Sequence, residues 1–127
     1  MTTEAELRRC VQALAQPAVV QVSLFPDFAV VGDELAIQFD SALSGYRAAL
    51  GTDEPQELSE LDDYLSELSG PEDERFWVDR SALGSDVRWQ RIRDLARAVL
   101  ARFEWPYEPP SCDGATYVGP GGSVENV

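Results

Sequence analysis

The chain contains no histidine and no lysine. Without histidine it can form no Ser-His or Cys-His nucleophile pair and no imidazole metal site. Its ten basic residues are all arginine. That usage reads as the codon bias of a GC-rich bacterial genome rather than as a physical design. Only two cysteines occur, Cys10 and Cys112, far apart in the chain. Two such residues make no disulfide framework, and they predict reduced thiols in a cytoplasmic protein. Cys112 lies beside Asp113, whose carboxylate disfavours a thiolate, and no base is available to activate it.

Positive charge is scarce. Ten basic residues face 23 acidic ones, for a net charge of −13 and a sequence pI near 4.2. Phosphate contacts need clustered cations, so neither nucleic acid nor an anionic membrane is an expected partner. No apolar run approaches the ~18 residues of a membrane span. The first sixteen residues are charged and amphipathic and lack the apolar stretch of a signal peptide. Gly119-Pro120-Gly121-Gly122 has no helix after it and makes no phosphate loop.

At 127 residues, 44% hydrophobic and 26% charged, the chain predicts one globular domain. Thr3 to Gln16 reads as a helix with a Thr3/Glu6 capping box and Pro17 at its end. Leu7, Cys10, Val11 and Leu14 share its apolar face, opposite Glu4, Arg8 and Gln12. The pattern then alternates. Val20, Val22 and Leu24, and later Leu35, Ile37 and Phe39, recur at every second position. Gly32-Asp33 between apolar runs suits a tight hairpin turn. The expected fold is therefore α+β: a small antiparallel sheet of about three strands, residues 18–40, with helices packed on one face.

Beyond the sheet, Leu58, Leu61, Leu65 and Leu68 form one seam of an expected helix capped by Thr52, with Pro55 in its first turn. A short turn of chain should bring Phe76 and Trp77 inward. Ser85 is the expected cap of the longest helix, with Trp89, Ile92, Ala96, Val99, Leu100 and Phe103 on its apolar stripe. Residues 1–113 then form the domain. Residues 114–127, rich in glycine, are expected to be an extended or flexible tail.

The outward-pointing feature is charge of one sign. Between Ala48 and Glu74 lie ten carboxylates and no basic residue, and Arg75–Phe103 carries seven of the ten arginines. Glu57, Glu60, Asp63 and Glu67 fall on the side of the Leu58–Leu68 helix opposite its leucines. No arginine at i+4 relieves their repulsion. They are the candidate partner-binding residues, facing a basic protein. As a metal site Glu60, Asp63 and Glu67 are poor, because one helix chelates a hard cation badly and no EF-hand loop is present. No cofactor or metal is expected. Among the carboxylates only Asp40, at a strand end, has the apolar setting that would raise its pKa. Arg88, Arg91, Arg93 and Arg97 are expected to pair with carboxylates inside the fold, at ~0–1 kcal/mol each if exposed.

Three function classes fit. The first is a non-catalytic binder that neutralises or regulates a basic protein, as immunity proteins and antitoxins do, although no motif ties the chain to such a family. The second is an accessory or scaffold protein whose acidity confers only solubility. The third is a small-ligand-binding domain with an aromatic pocket formed by Trp77, Trp89 and Trp105. None of the catalytic arrangements considered is present, so the chain is not expected to be an enzyme.

Overall fold

A computed structural model describes residues 3–27, 29–50 and 54–110. Among them there is no strand. The elements are α1 (Thr3–Ala15), α2 (Ala18–Ser23), α3 (Val31–Leu50), α4 (Gln56–Glu67), a 3-10 turn (Pro71–Asp73), α5 (Glu74–Val78), α6 (Ala82–Ser85) and α7 (Val87–Phe103). The α+β expectation is therefore wrong: residues 18–40 form α2 and the first half of α3, not a three-stranded sheet.

The reason lies in window length. Leu35, Ile37 and Phe39 alternate, but Leu35 and Phe39 also stand at i and i+4. Five residues satisfy both periods. Over the longer run Val31, Leu35, Phe39, Ala42, Leu43 and Tyr46 are all buried at helical spacing. Ile37, expected in the core, points away from it and is 60% exposed. In α2 the β-branched valines lose to tertiary context. Val19 is 76% exposed, while the polar Gln21 is fully buried. Asp40 is exposed and not at a strand end.

Gly32-Asp33 is not a hairpin turn. It lies in the first turn of α3, where Asp33 and Glu34 meet the positive end of the helix dipole. Gly32 is needed for close approach. A Cβ there would stand 2.6 Å from the Trp77 carbonyl oxygen and 3.2 Å from Trp89 Cζ2. Gly32→Ala is expected to destabilise by about 1–3 kcal/mol through overpacking, although alanine is the better helix former. A urea melt that shows a gain instead would mean that α3 and α5 separate freely.

The other helices follow their sequence patterns. Leu7, Val11 and Leu14 of α1 are buried, as are Leu58, Leu61 and Leu65 of α4 and Leu68 just beyond it. Gln12 departs from its expected outer face: it is buried, and its Nε2 donates to the Pro106 carbonyl at 3.1 Å. Asp86, not Ser85, caps α7, its carboxylate accepting from the Arg88 amide at 2.8 Å. The longest helix is α3 rather than α7. α4 begins at Gln56, and Pro55 rather than the expected Thr52 stands at its N-cap, ahead of the first turn; the 114–127 tail lies outside the described residues.

Helices α1, α3, α4 and α7 build an up-down-up-down bundle. α1 packs on α3 and α7, and α4 packs on α7. Gln16 meets Arg93 and Gln12 meets Pro106, so α1 and α7 run antiparallel. Arg102 faces Glu57, and Arg88 faces Asp73, so α4 and α7 do too. Three of the four seams are closed by this packing. The fourth, between α3 and α4, shows no such packing among the described residues.

Candidate functional site

The acidic block divides into two populations. Glu54, Glu57, Asp62 and Asp73 turn toward the bundle and find arginines. Arg47 forks onto Glu54 with 2.7 and 2.8 Å bonds and reaches Asp62 at 3.1 Å. Ser59 adds a 2.6 Å bond to Glu54. The Arg47 hydrogen bonds hold the Glu54 carboxyl below its ordinary value, and the same pairing raises Arg47. Arg88 spans Asp86 and Asp73 and lies over the Phe76 ring, 4.5 Å from its centroid. Its hydrogen bond to Asp86 likewise lowers that carboxyl. Carboxylates held below their unfolded values add stability above the ordinary carboxylate range. They lose it as pH falls through the folded value.

Four partner-binding residues were read from the sequence. Glu57 is only partly exposed and sits 3.8 Å from Arg102. Glu60 is exposed and accepts a hydrogen bond from Gln56 at 2.9 Å. Asp63 and Glu67 are exposed and have no ion-pair partner among the described residues. The structure thus keeps Glu60, Asp63 and Glu67 together on the outer face of α4 and draws Glu57 toward α7.

Of the arginines expected to neutralise the block, only Arg88 does so among the described residues. Arg93 is 6% exposed and bonds neutral acceptors instead. Arg97 bonds the Tyr107 hydroxyl at 2.9 Å and stacks on its ring. Arg91 meets no carboxylate among the described residues. The missed neutralisers are Arg102, which faces Glu57, and Arg47, whose role is invisible until α3 is read as a helix ending beside Glu54.

The three tryptophans do not share one pocket. Trp89 is fully buried, stacked on Phe76 at 5.3 Å and edge-on to Trp77 at 5.7 Å. Trp105 stacks on Phe103 at 4.2 Å, beyond the other end of α7. Fourteen residues of helix, about 21 Å, separate Trp89 from Phe103. Trp77 is half-buried, and its Nε1 donates to the Leu68 carbonyl at 2.7 Å.

Trp77 instead closes one end of a groove of about 410 Å³ between α3 and α4. Asp33, Ala36 and Asp40 line one wall, and Asp62, Leu65 and Ser66 the other. The walls carry residues at i, i+3 and i+7, and at i, i+3 and i+4. The sequence signal for the first wall was present, but only at helical spacing. Among the described residues no three carboxylates gather closely enough to hold a metal ion. No described helix is long and apolar enough to cross a membrane.

Comparison with protein-family models, with curated proteins and with solved structures finds no match for this chain.

Proposed function

We propose that the chain is a non-catalytic binding protein whose acidic surface engages a basic protein and neutralises or regulates it, in the manner of an immunity protein or antitoxin. The observation that carries this reading is the division of the acidic block. Arginines serve the inward carboxylates, whereas Glu60, Asp63 and Glu67 stand exposed on α4 with no ion pair among the described residues. Like charges along one helix face cost a few tenths of a kcal/mol per pair, so nothing local favours the arrangement. A cationic partner removes that cost. With a net charge of −13 the whole chain also steers such a partner inward.

The test uses a basic protein captured from host extract at low salt and then purified. Its association rate should fall steeply as salt rises, as expected for a steered encounter. Replacing Glu57, Glu60, Asp63 and Glu67 together with glutamine should slow association while leaving the helical circular dichroism intact. Unchanged binding kinetics in that variant would sink the reading.

A further inference from the structure

The α3–α4 seam is held open from both ends. At one end Trp77 packs its backbone against Gly32 and bonds the carbonyl of Leu68, so it props the start of α3 against the end of α4. At the other end Arg47 bridges α3 to Glu54 and Asp62. Among the described residues the walls between these props do not close, and Phe39 and the α4-wall residue Leu65 give the groove its apolar part. Closing the seam would press Asp33 and Asp40 toward Asp62, like charge against like. Asp62 already has a cation in Arg47. Asp33 and Asp40 have no ion-pair partner among the described residues. Ile37, on the exposed side of α3 between them, is 60% exposed.

We propose that this open seam is the docking site for a basic segment of a protein partner. Its arginine or lysine side chains enter beside Asp33 and Asp40, and an aliphatic neighbour covers Ile37. The proposal deepens the reading of the chain as an acidic binder and rests on it. Three features select this occupant. Charge is complementary, and the apolar Phe39 and Leu65 beneath the carboxylates focus their field where water is partly excluded. The carboxylates are strung out rather than gathered: Asp33 and Asp40 are seven residues apart, about 10 Å along the helix. That spacing suits successive side chains of a peptide better than one metal ion, in keeping with the absence of a three-carboxylate cluster among the described residues. The exposed isoleucine beside them gives an anchor that a free cation would not use.

The probe is a synthetic amphipathic peptide with arginine at every third or fourth position and leucine on the adjoining face. It is titrated into the full, nitrogen-15-labelled chain at low salt. Two variants are compared, each removing two charges: Asp33→Asn with Asp40→Asn, and Glu60→Gln with Glu67→Gln. None of the four is buried; Asp33→Asn gives up one charge at the start of α3 and Glu60→Gln keeps an acceptor for Gln56, so circular dichroism checks that the helices hold. Shifts should concentrate on residues 33–40 and 62–69 and on the Trp77 indole N–H. The seam variant should bind about tenfold more weakly and the outer variant about threefold, because bulk charge is matched, the outer carboxylates only steer the encounter and the seam carboxylates pair locally. Weakening confined to the outer variant would overturn the seam and leave α4 as the partner surface. Equal weakening would mean adhesion to net charge and would overturn it as well. No binding at all, or binding that neither variant weakens, would overturn the seam, while the captured protein and the quadruple α4 variant decide the broader reading separately. Sedimentation of the free chain as a dimer that excludes the peptide would assign the seam to a second copy instead.

Discussion

Trp89→Ala is expected to destabilise the fold by about 3–5 kcal/mol, the cost of deleting a large buried aromatic. The ring is fully buried at the point where α3, α5 and α7 meet. It stacks on Phe76, takes the edge of Trp77, and lies against Gly32 of α3, which has no side chain. Alanine would leave a cavity that none of these neighbours can fill without breaking the Trp77–Leu68 bond. Total stabilities of domains this size run about 5–15 kcal/mol, so the variant should lose a large share of its stability. Trp89→Phe is the informative companion. The indole Nε1 is buried with no hydrogen-bond partner among the described residues. Phenylalanine removes that orphan donor along with some volume, so its cost should be well under half that of alanine. Guanidinium melts check both. A loss under about 1 kcal/mol for the alanine variant would place the ring at the surface.

The four bundle helices differed in how well the sequence announced them. In α1, α4 and α7 the apolar residues recur at three and four over a whole helix, and period-two alternation never competes. α3 reads as strand because Leu35-Ala36-Ile37-Gln38-Phe39 fits two periods, and Gly32 reads as a turn when its place is set by contact with Trp77 and Trp89. α2 was misread because its valines have strand preferences. What settles its conformation is Gln21, whose partners lie in α1 and, 72 residues away, in α7. Such a long-range polar contact leaves no periodic trace. The outer acidic face of α4 was legible because charge and helical phase both show in the sequence. The α3–α4 seam was not, since it exists only once α3 is a helix.

Arg93→Met is the second change with a large expected effect, and its cause is polar rather than apolar. The Arg93 Nε donates to the Gln16 carbonyl at 2.8 Å, and Nη2 donates to Gln21 Oε1 at 2.8 Å and to the Leu83 carbonyl. Gln21 in turn donates to the carbonyls of Ala13 and Leu14, at 3.1 Å each. α1 ends at Ala15, so these are the carbonyls that a helix leaves without partners. The guanidinium and the amide together satisfy the end of α1 and fasten α2 and α6 to α7. Among the described residues no carboxylate bonds Arg93. Burial lowers its pKa from the ordinary value, and the charge of Arg97 adds to that. The negative end of the α1 dipole and the carbonyl oxygens compensate it instead.

Methionine keeps much of the length and apolar stem but supplies no donor. It would strand the Gln16 and Leu83 carbonyls and Gln21 Oε1, at about 1–3 kcal/mol for each group left unsatisfied. Relief from burying a charge offsets part of that. The expected net loss is about 2–5 kcal/mol. Arg93→Lys should recover only part of it, because an ammonium cannot reproduce the planar fork that reaches three acceptors. Arg91→Met, on the exposed side of the same helix, is the control and should fall within about 0.5 kcal/mol of the parent. Hydrogen exchange sharpens the test: amides of α2 should lose protection in Arg93→Met well before those of α4, because α2 is short and has no side-chain cap of its own. Uniform loss across the bundle would mean that Arg93 acts through α7 packing alone. A melt indistinguishable from the parent would show that water, rather than the guanidinium, satisfies the end of α1.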